Sequence, residues 1–98
     1  MQVFLFDLMP YKTDLDQFRQ DGELPRRFGR SFVDAQAVAE TYAEHLDAWE
    51  EAEKAGFDGI AVNEHHATPY GLMNSPNLLV AAAAQRTKKV KLLTYGTL

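Results

Sequence analysis

Between Ala35 and Ala55 the apolar residues Ala35, Val38, Ala39, Tyr42, Leu46, Trp49 and Ala52 recur at steps of three and four, and directly behind them come Gly56 and the run Phe57-Asp58-Gly59-Ile60-Ala61-Val62. That juxtaposition constrains the fold more than anything else in the chain. The spacing predicts a helix over about 35–55 with one apolar face. Asp34 can cap its start, Lys54 places a cation in the last turn, and Gly56 tolerates the positive φ that ends helices. Glu40, Glu44, Asp47, Glu50, Glu51 and Glu53 are expected on the solvent side. His45, with no evident partner, reads as an ordinary surface residue of the same helix. The run after Gly56 is too short for a helix, so it predicts a buried strand over about 58–63.

Two further apolar runs flank this unit. Val3-Phe4-Leu5-Phe6 is apolar at every position and predicts a strand over about 2–7, buried on both faces. Val90-Lys91-Leu92-Leu93-Thr94-Tyr95 predicts a third strand over about 90–96. Before it, Ser75 offers a capping hydroxyl and Pro76 suits the first helical position, so an alanine-rich helix is expected over about 76–87. From Tyr11 to Asp34 the sequence turns polar, with Gly22, Pro25 and Gly29 as breakers and Arg19, Arg26, Arg27 and Arg30 as its cations. This is a long connection, either a solvated insertion or a lid, in which Leu15 and Phe18 could anchor a helical turn.

The order strand, helix, strand, helix, strand describes two successive right-handed crossover units of a parallel sheet. Three strands leave edges open and one face uncovered, so the chain is expected to be the opening part of a (β/α)8 barrel or of a doubly wound sheet. Asp7-Leu8-Met9-Pro10 lacks the glycines that wrap a pyrophosphate, which favours the barrel.

Composition closes off other classes. With 46% hydrophobic and 24% charged residues the 98-residue chain reads as a soluble globular domain or part of one. A net charge of -4 would repel nucleic acid. No apolar run approaches the roughly 20 residues that cross a bilayer. The chain has no cysteine, which removes disulfides and thiolate chemistry and fits a cytoplasmic setting.

Chemistry-bearing side chains gather at Asn63-Glu64-His65-His66, just past the second strand, where a parallel barrel carries its active face. Three readings stand open there. Glu64 and a histidine could bind zinc or iron, although adjacent histidines in an extended segment point to opposite sides. A histidine could act as acid or base, or touch a cofactor. Both could simply satisfy backbone groups. The end of the third strand, Thr94-Tyr95-Gly96-Thr97, is a second candidate, since Gly96 would let a flat ligand approach closely.

Gly56-Phe57-Asp58-Gly59-Ile60-Ala61-Val62-Asn63-Glu64-His65-His66, then Tyr70-Gly71-Leu72, Ser75-Pro76-Asn77-Leu78 and Arg86-Thr87, resembles the N-terminal segment of the bacterial-luciferase-like, flavin-dependent monooxygenases. The resemblance implies a (β/α)8 barrel of the TIM type, of which residues 1–98 are the N-terminal β-α-β-α-β portion. It implies reduced FMN supplied by a flavin reductase, or the deazaflavin F420, bound at the carboxyl ends of the strands. It also implies dioxygen and a small organic molecule as substrates, and a homo-oligomer or heterodimer. His65 matches the family histidine beside the reacting edge of the flavin, a general acid or base, and Glu64 matches the acidic residue at that end of the site. Tyr95 and Gly96 match the point where relatives carry a non-proline cis peptide facing the ring, and Phe6 and Asp7 are strand-one contacts. No metal is implied.

The connection over residues 12–34 is longer than in many relatives, and the strands that would supply phosphate contacts are not in the sequence. The segment is therefore expected to be inactive alone and to bind flavin weakly or not at all. Two other classes remain: a metal-dependent barrel hydrolase or isomerase, and a non-catalytic piece that self-associates through its open sheet.

Overall fold

A computed structural model describes residues 1–19, 23 and 32–97. The expected breakers Gly22, Pro25 and Gly29 and the cations Arg26, Arg27 and Arg30 lie outside the described residues. Three strands, β1 (Phe4–Asp7), β2 (Gly59–Val62) and β3 (Lys91–Thr94), form one parallel sheet in the order β1-β2-β3. Two helices, α1 (Ala35–Lys54) and α2 (Pro76–Arg86), make the crossovers, and a 3-10 turn at Leu15–Phe18 lies in the first connection. The elements stop one or two residues inside several of the expected limits.

Local chemistry fixes the helix ends. The Asp34 carboxylate accepts the N–H groups of Gln36 at 2.9 Å and Ala37 at 3.2 Å, satisfying two of the free donors at the start of α1. At its other end Gly56 takes φ 93 while the N–H of Phe57 reaches the Ala52 carbonyl and that of Gly56 reaches Glu53, which closes the helix in a Schellman turn. Pro76 opens α2 as expected, but the Ser75 hydroxyl makes no capping bond. Ser75 contributes through its carbonyl, which accepts from Leu78 and Leu79.

The strands are in register, with Leu5, Ile60 and Leu92 aligned on one face and Phe6, Ala61 and Leu93 on the other. Both helices cover the first face. Trp49 from α1, Ala83 from α2, Ile60, Val62, Met9 and Met73 form the buried core, with Leu5, Leu46, Leu79 and Leu92 packed against it. The expectation that β1 is buried on both faces is corrected: its residues alternate, Phe4 and Phe6 exposed, Leu5 and Asp7 half-buried. Among the described residues nothing covers the second face, and an all-apolar run does not say which face a helix will occupy.

The buried stripe of α1 is also shifted from its expected position. Ala35 and Ala39 are exposed, whereas Thr41 is buried and His45 half-buried. Thr41 tolerates this because its hydroxyl donates to the Ala37 carbonyl one turn back, at 2.8 Å. Glu53, half-buried on the solvent side, is bonded as well. One of its oxygens accepts from the backbone N–H groups of Lys88, Lys89 and Val90 at 2.9, 2.5 and 2.9 Å, binding the end of α1 to the turn that starts β3. Three donors on one carboxylate favour its charged form and hold the Glu53 carboxyl below its ordinary value of 4.5. Arg86 ties the two helices together by pairing with Asp47 and Glu50. Among the described residues no helix is long and apolar enough to cross a membrane.

Candidate functional site

Because the strands are parallel and in register, the residues that follow Asp7, Val62 and Thr94 share one rim. Glu64, His65 and His66 leave the sheet there, as do Tyr95 and Gly96. Two loops knit this rim together. The N–H of Leu72 donates to the Met9 carbonyl at 2.9 Å, that of Tyr11 to Pro69 at 2.9 Å, and that of His65 to Met73 at 3.1 Å. The Tyr42 hydroxyl, from α1, donates to the Leu72 carbonyl at 2.5 Å, and burial pushes that phenol above its ordinary value.

The three histidines fall into different settings. His66 is 56% exposed and its Nε2 lies 2.5 Å from Glu64 Oε1, so residues 64 and 66 meet on one side of the extended segment. His65 points elsewhere. A Cβ built on Gly71 would stand 2.9 Å from His65 Cδ2 and 2.8 Å from the Leu8 carbonyl, so the imidazole rests on a position only glycine can fill. Among the described residues the ring nitrogens of His65 carry no hydrogen bond, which leaves them open to a ligand.

His45 is not the unpartnered surface residue that its helical position suggested. Its Nδ1 lies 2.6 Å from Asp7 Oδ2, and the Trp49 indole N–H donates to the same oxygen at 2.7 Å. Asp7 Oδ1 accepts from the Met9 N–H at 2.8 Å. The signal was present in the sequence: His45 stands four residues before Trp49, so it shares the buried stripe and needs a partner there.

On the uncovered face Phe6 and Tyr95 meet edge to face, centroids 6.2 Å apart and ring planes at 81°. They stand over Ala61, which is buried beneath them. Phe6 is 52% and Tyr95 66% exposed, so each presents apolar ring area outward. Gly96 takes φ 76 with open space where a Cβ would project. All peptide bonds of the described residues are trans, so the cis peptide expected near Tyr95 and Gly96 is absent, and the backbone turns there through the left-handed glycine. Asn63, 8% exposed, holds its side-chain oxygen buried with no hydrogen-bond partner among the described residues.

The structure thus brings Glu64, His65, Tyr95 and Gly96 to one rim, with Phe6 on the adjoining face. Glu64 pairs with His66, not His65. Among the described residues no group of three His, Asp or Glu side chains converges as metal ligands do. A cavity of about 150 Å³ opens nearby, walled by Tyr11, Val38, Tyr42, Pro69 and Leu72. It reaches Gly71 but not His65.

Residues 24–98 match the profile described as luciferase-like monooxygenase. An uncharacterised protein of Sinorhizobium fredii is 39% identical over 59 residues, covering 60% of this chain and 17% of that protein. The 4-hydroxyprotoasukamycin monooxygenase of Streptomyces nodosus subsp. asukaensis is 36% identical over 55 residues, 50% of this chain and 15% of the enzyme. In fold, the chain is similar to a type II Baeyer-Villiger monooxygenase, the oxygenating constituent of 3,6-diketocamphane monooxygenase from the CAM plasmid of Pseudomonas putida, solved in complex with FMN. The TM-score is 0.60 and the identity 24%, over 94% of this chain and 20% of that one. The chain spans about a fifth or less of each of these relatives.

Proposed function

The chain belongs to the luciferase-like monooxygenase family, and from that premise we propose that it forms the N-terminal β-α-β-α-β part of a (β/α)8 barrel that uses reduced flavin and dioxygen to oxidise a small organic molecule. The residues present fit such a group. Phe6, Leu93 and Tyr95 offer an apolar platform of the kind a tricyclic heteroaromatic ring packs on, and Gly96 lets the backbone come close to it. Phe6, Tyr95, Gly96 and Glu64 would hold the flavin. When bound, reduced flavin supplies the two electrons with which one atom of dioxygen enters the substrate and the other leaves as water.

His65 is the residue that handles the proton. One observation carries this assignment: of the three histidines, His45 and His66 are paired with carboxylates, while the ring of His65 is fixed against Gly71 with its nitrogens free among the described residues. A positioned imidazole can accept or return a proton without rearranging. Glu64 holds His66 on its own side of the segment.

The reduced cofactor is FMN delivered by a separate reductase, with F420 the other candidate, and the setting is the cytoplasm. The complete protein works as a homo-oligomer or heterodimer, whereas residues 1–98 alone are inactive. The test is anaerobic titration of the full-length protein with reduced FMN and with reduced F420, followed by admission of ¹⁸O₂ and an organic substrate panel. Saturable binding of one of them and label in a product are expected. Binding of neither, or products without label, would overturn the proposal.

A further inference from the structure

We propose that Asp7 is a positioning residue for His65, acting through the Leu8–Met9 turn, with His45 and Trp49 holding its carboxylate in place. The assignment rests on the reading of His65 as the residue that handles the proton.

Asp7 ends β1 on the face that the helices cover, and its side chain is only 12% exposed. A carboxylate so far withdrawn from water needs donors, and it has three: Met9 N–H on Oδ1, and His45 Nδ1 and Trp49 Nε1 on Oδ2. Its Oδ2 therefore faces α1, and its Oδ1 holds the turn. Met9 takes φ 47, unusual for a residue with a long side chain, and is fully buried, so its backbone depends on what surrounds it.

From that turn a continuous set of contacts leads to the imidazole. The Met9 carbonyl accepts from Leu72, and the Leu8 carbonyl and the His65 ring both lie within 3 Å of the place where a Cβ on Gly71 would stand, so the two are packed together over that glycine. The His65 N–H is bound to Met73, two residues along the same segment. Displacing Leu8 and Met9 therefore displaces residues 71–73 and the ring that rests on them. The Tyr42 hydroxyl on Leu72 is the other tie from α1 to this segment.

Glu53 provides the control, because it makes a comparable set of backbone bonds at the opposite end of the sheet, beside Lys88–Val90. The experiment compares Asp7→Ala, Asp7→Asn, His45→Gln and Glu53→Gln in the full-length protein. Histidine-labelled protein is followed by two-dimensional ¹H–¹⁵N spectra of the imidazoles, and kcat and KM are measured wherever flavin binds. Asp7→Ala is expected to move and broaden the His65 signals and to lower kcat about 10-fold while KM changes less than about 3-fold. Asp7→Asn keeps an oxygen for the Met9 N–H but turns an NH2 toward His45 and Trp49, and is expected to fall between wild type and Asp7→Ala in both. Glu53→Gln is expected to lower Tm and leave the His65 signals where they were. If Asp7→Ala does not fold, a shift of His65 in His45→Gln supports the proposal. Unmoved His65 signals in the folded Asp7 and His45 variants, or an equal displacement by Glu53→Gln, would overturn it. Failure of the wild-type protein to bind reduced flavin would strike the proposed function alone, since the imidazole spectra report on Asp7 without any cofactor.

Discussion

The rings of Phe6 and Tyr95 meet edge to face across β2, so the two outer strands of the sheet are joined over Ala61 by a pair that is itself largely exposed. Edge-to-face pairs contribute about 0.5–1.5 kcal/mol beyond the area they bury. Neither ring sits in the core, so Phe6→Ala or Tyr95→Ala is expected to destabilise the chain by no more than about 1.5 kcal/mol in urea unfolding. Affinity for reduced flavin is expected to fall about 10-fold, a loss near 1.4 kcal/mol. Unchanged affinity in both variants would remove the ring pair from the site.

His65→Ala and His66→Ala are expected to separate. The first should lower oxygenation by roughly 10²–10⁴-fold with flavin binding nearly intact, the usual contribution of a positioned acid or base. The second removes an exposed ring held by Glu64 and should change turnover by less than about 3-fold. Single-turnover rates measured with pre-reduced enzyme decide it. Equal losses in the two variants would show that the histidines act together.

Gly71→Ala tests the wall behind the imidazole. The added methyl would meet the Leu8 carbonyl at 2.8 Å and His65 Cδ2 at 2.9 Å. The carbonyl belongs to the backbone and yields little, so the histidine has to move. A destabilisation of about 1–3 kcal/mol is expected, with a loss of turnover larger than the loss of folded protein. Turnover that simply tracks the folded fraction would contradict this.

Glu53 predicts a pH dependence with a definite sign. Its folded value lies below the ordinary 4.5, because backbone N–H groups of Lys89, Val90 and Lys88 favour the charged form. The unfolded chain therefore binds the proton more readily. The stabilisation is fully present above the ordinary value and is lost as the pH falls through the depressed one. In thermal melts, Glu53→Gln is expected to be less stable than wild type near neutrality, with the difference closing in acid. A difference independent of pH would mean that the charge is irrelevant.

Much of the fold was legible because its punctuation is local. Asp34, Gly56 and Pro76 act on their own neighbours, and α1 and α2 begin where those residues put them. The position of Glu64–His66 at the carboxyl end of β2 was legible for the same reason. Facing was harder to read. Periodicity put Ala35 and Ala39 on the buried stripe of α1, yet Thr41 and His45 are there, because Ala37 and Asp7 supply partners for their polar atoms. The partner of His45 lies on β1 and those of Glu53 lie beside β3, distant in the chain, and no spacing rule within one helix can find them. Met73, in a loop between Leu72 and Asn74, joins the core through tertiary packing alone.

The spatial order of the strands repeats their order along the chain. Each crossover unit can therefore dock beside the one made just before it, with no later strand to be inserted between earlier ones. A ribosome releasing this polypeptide from its amino end would let β2 settle on β1 as soon as α1 had emerged, and β3 would follow in turn. Assembly of such a layer can keep pace with synthesis, each new strand finding its template already in place.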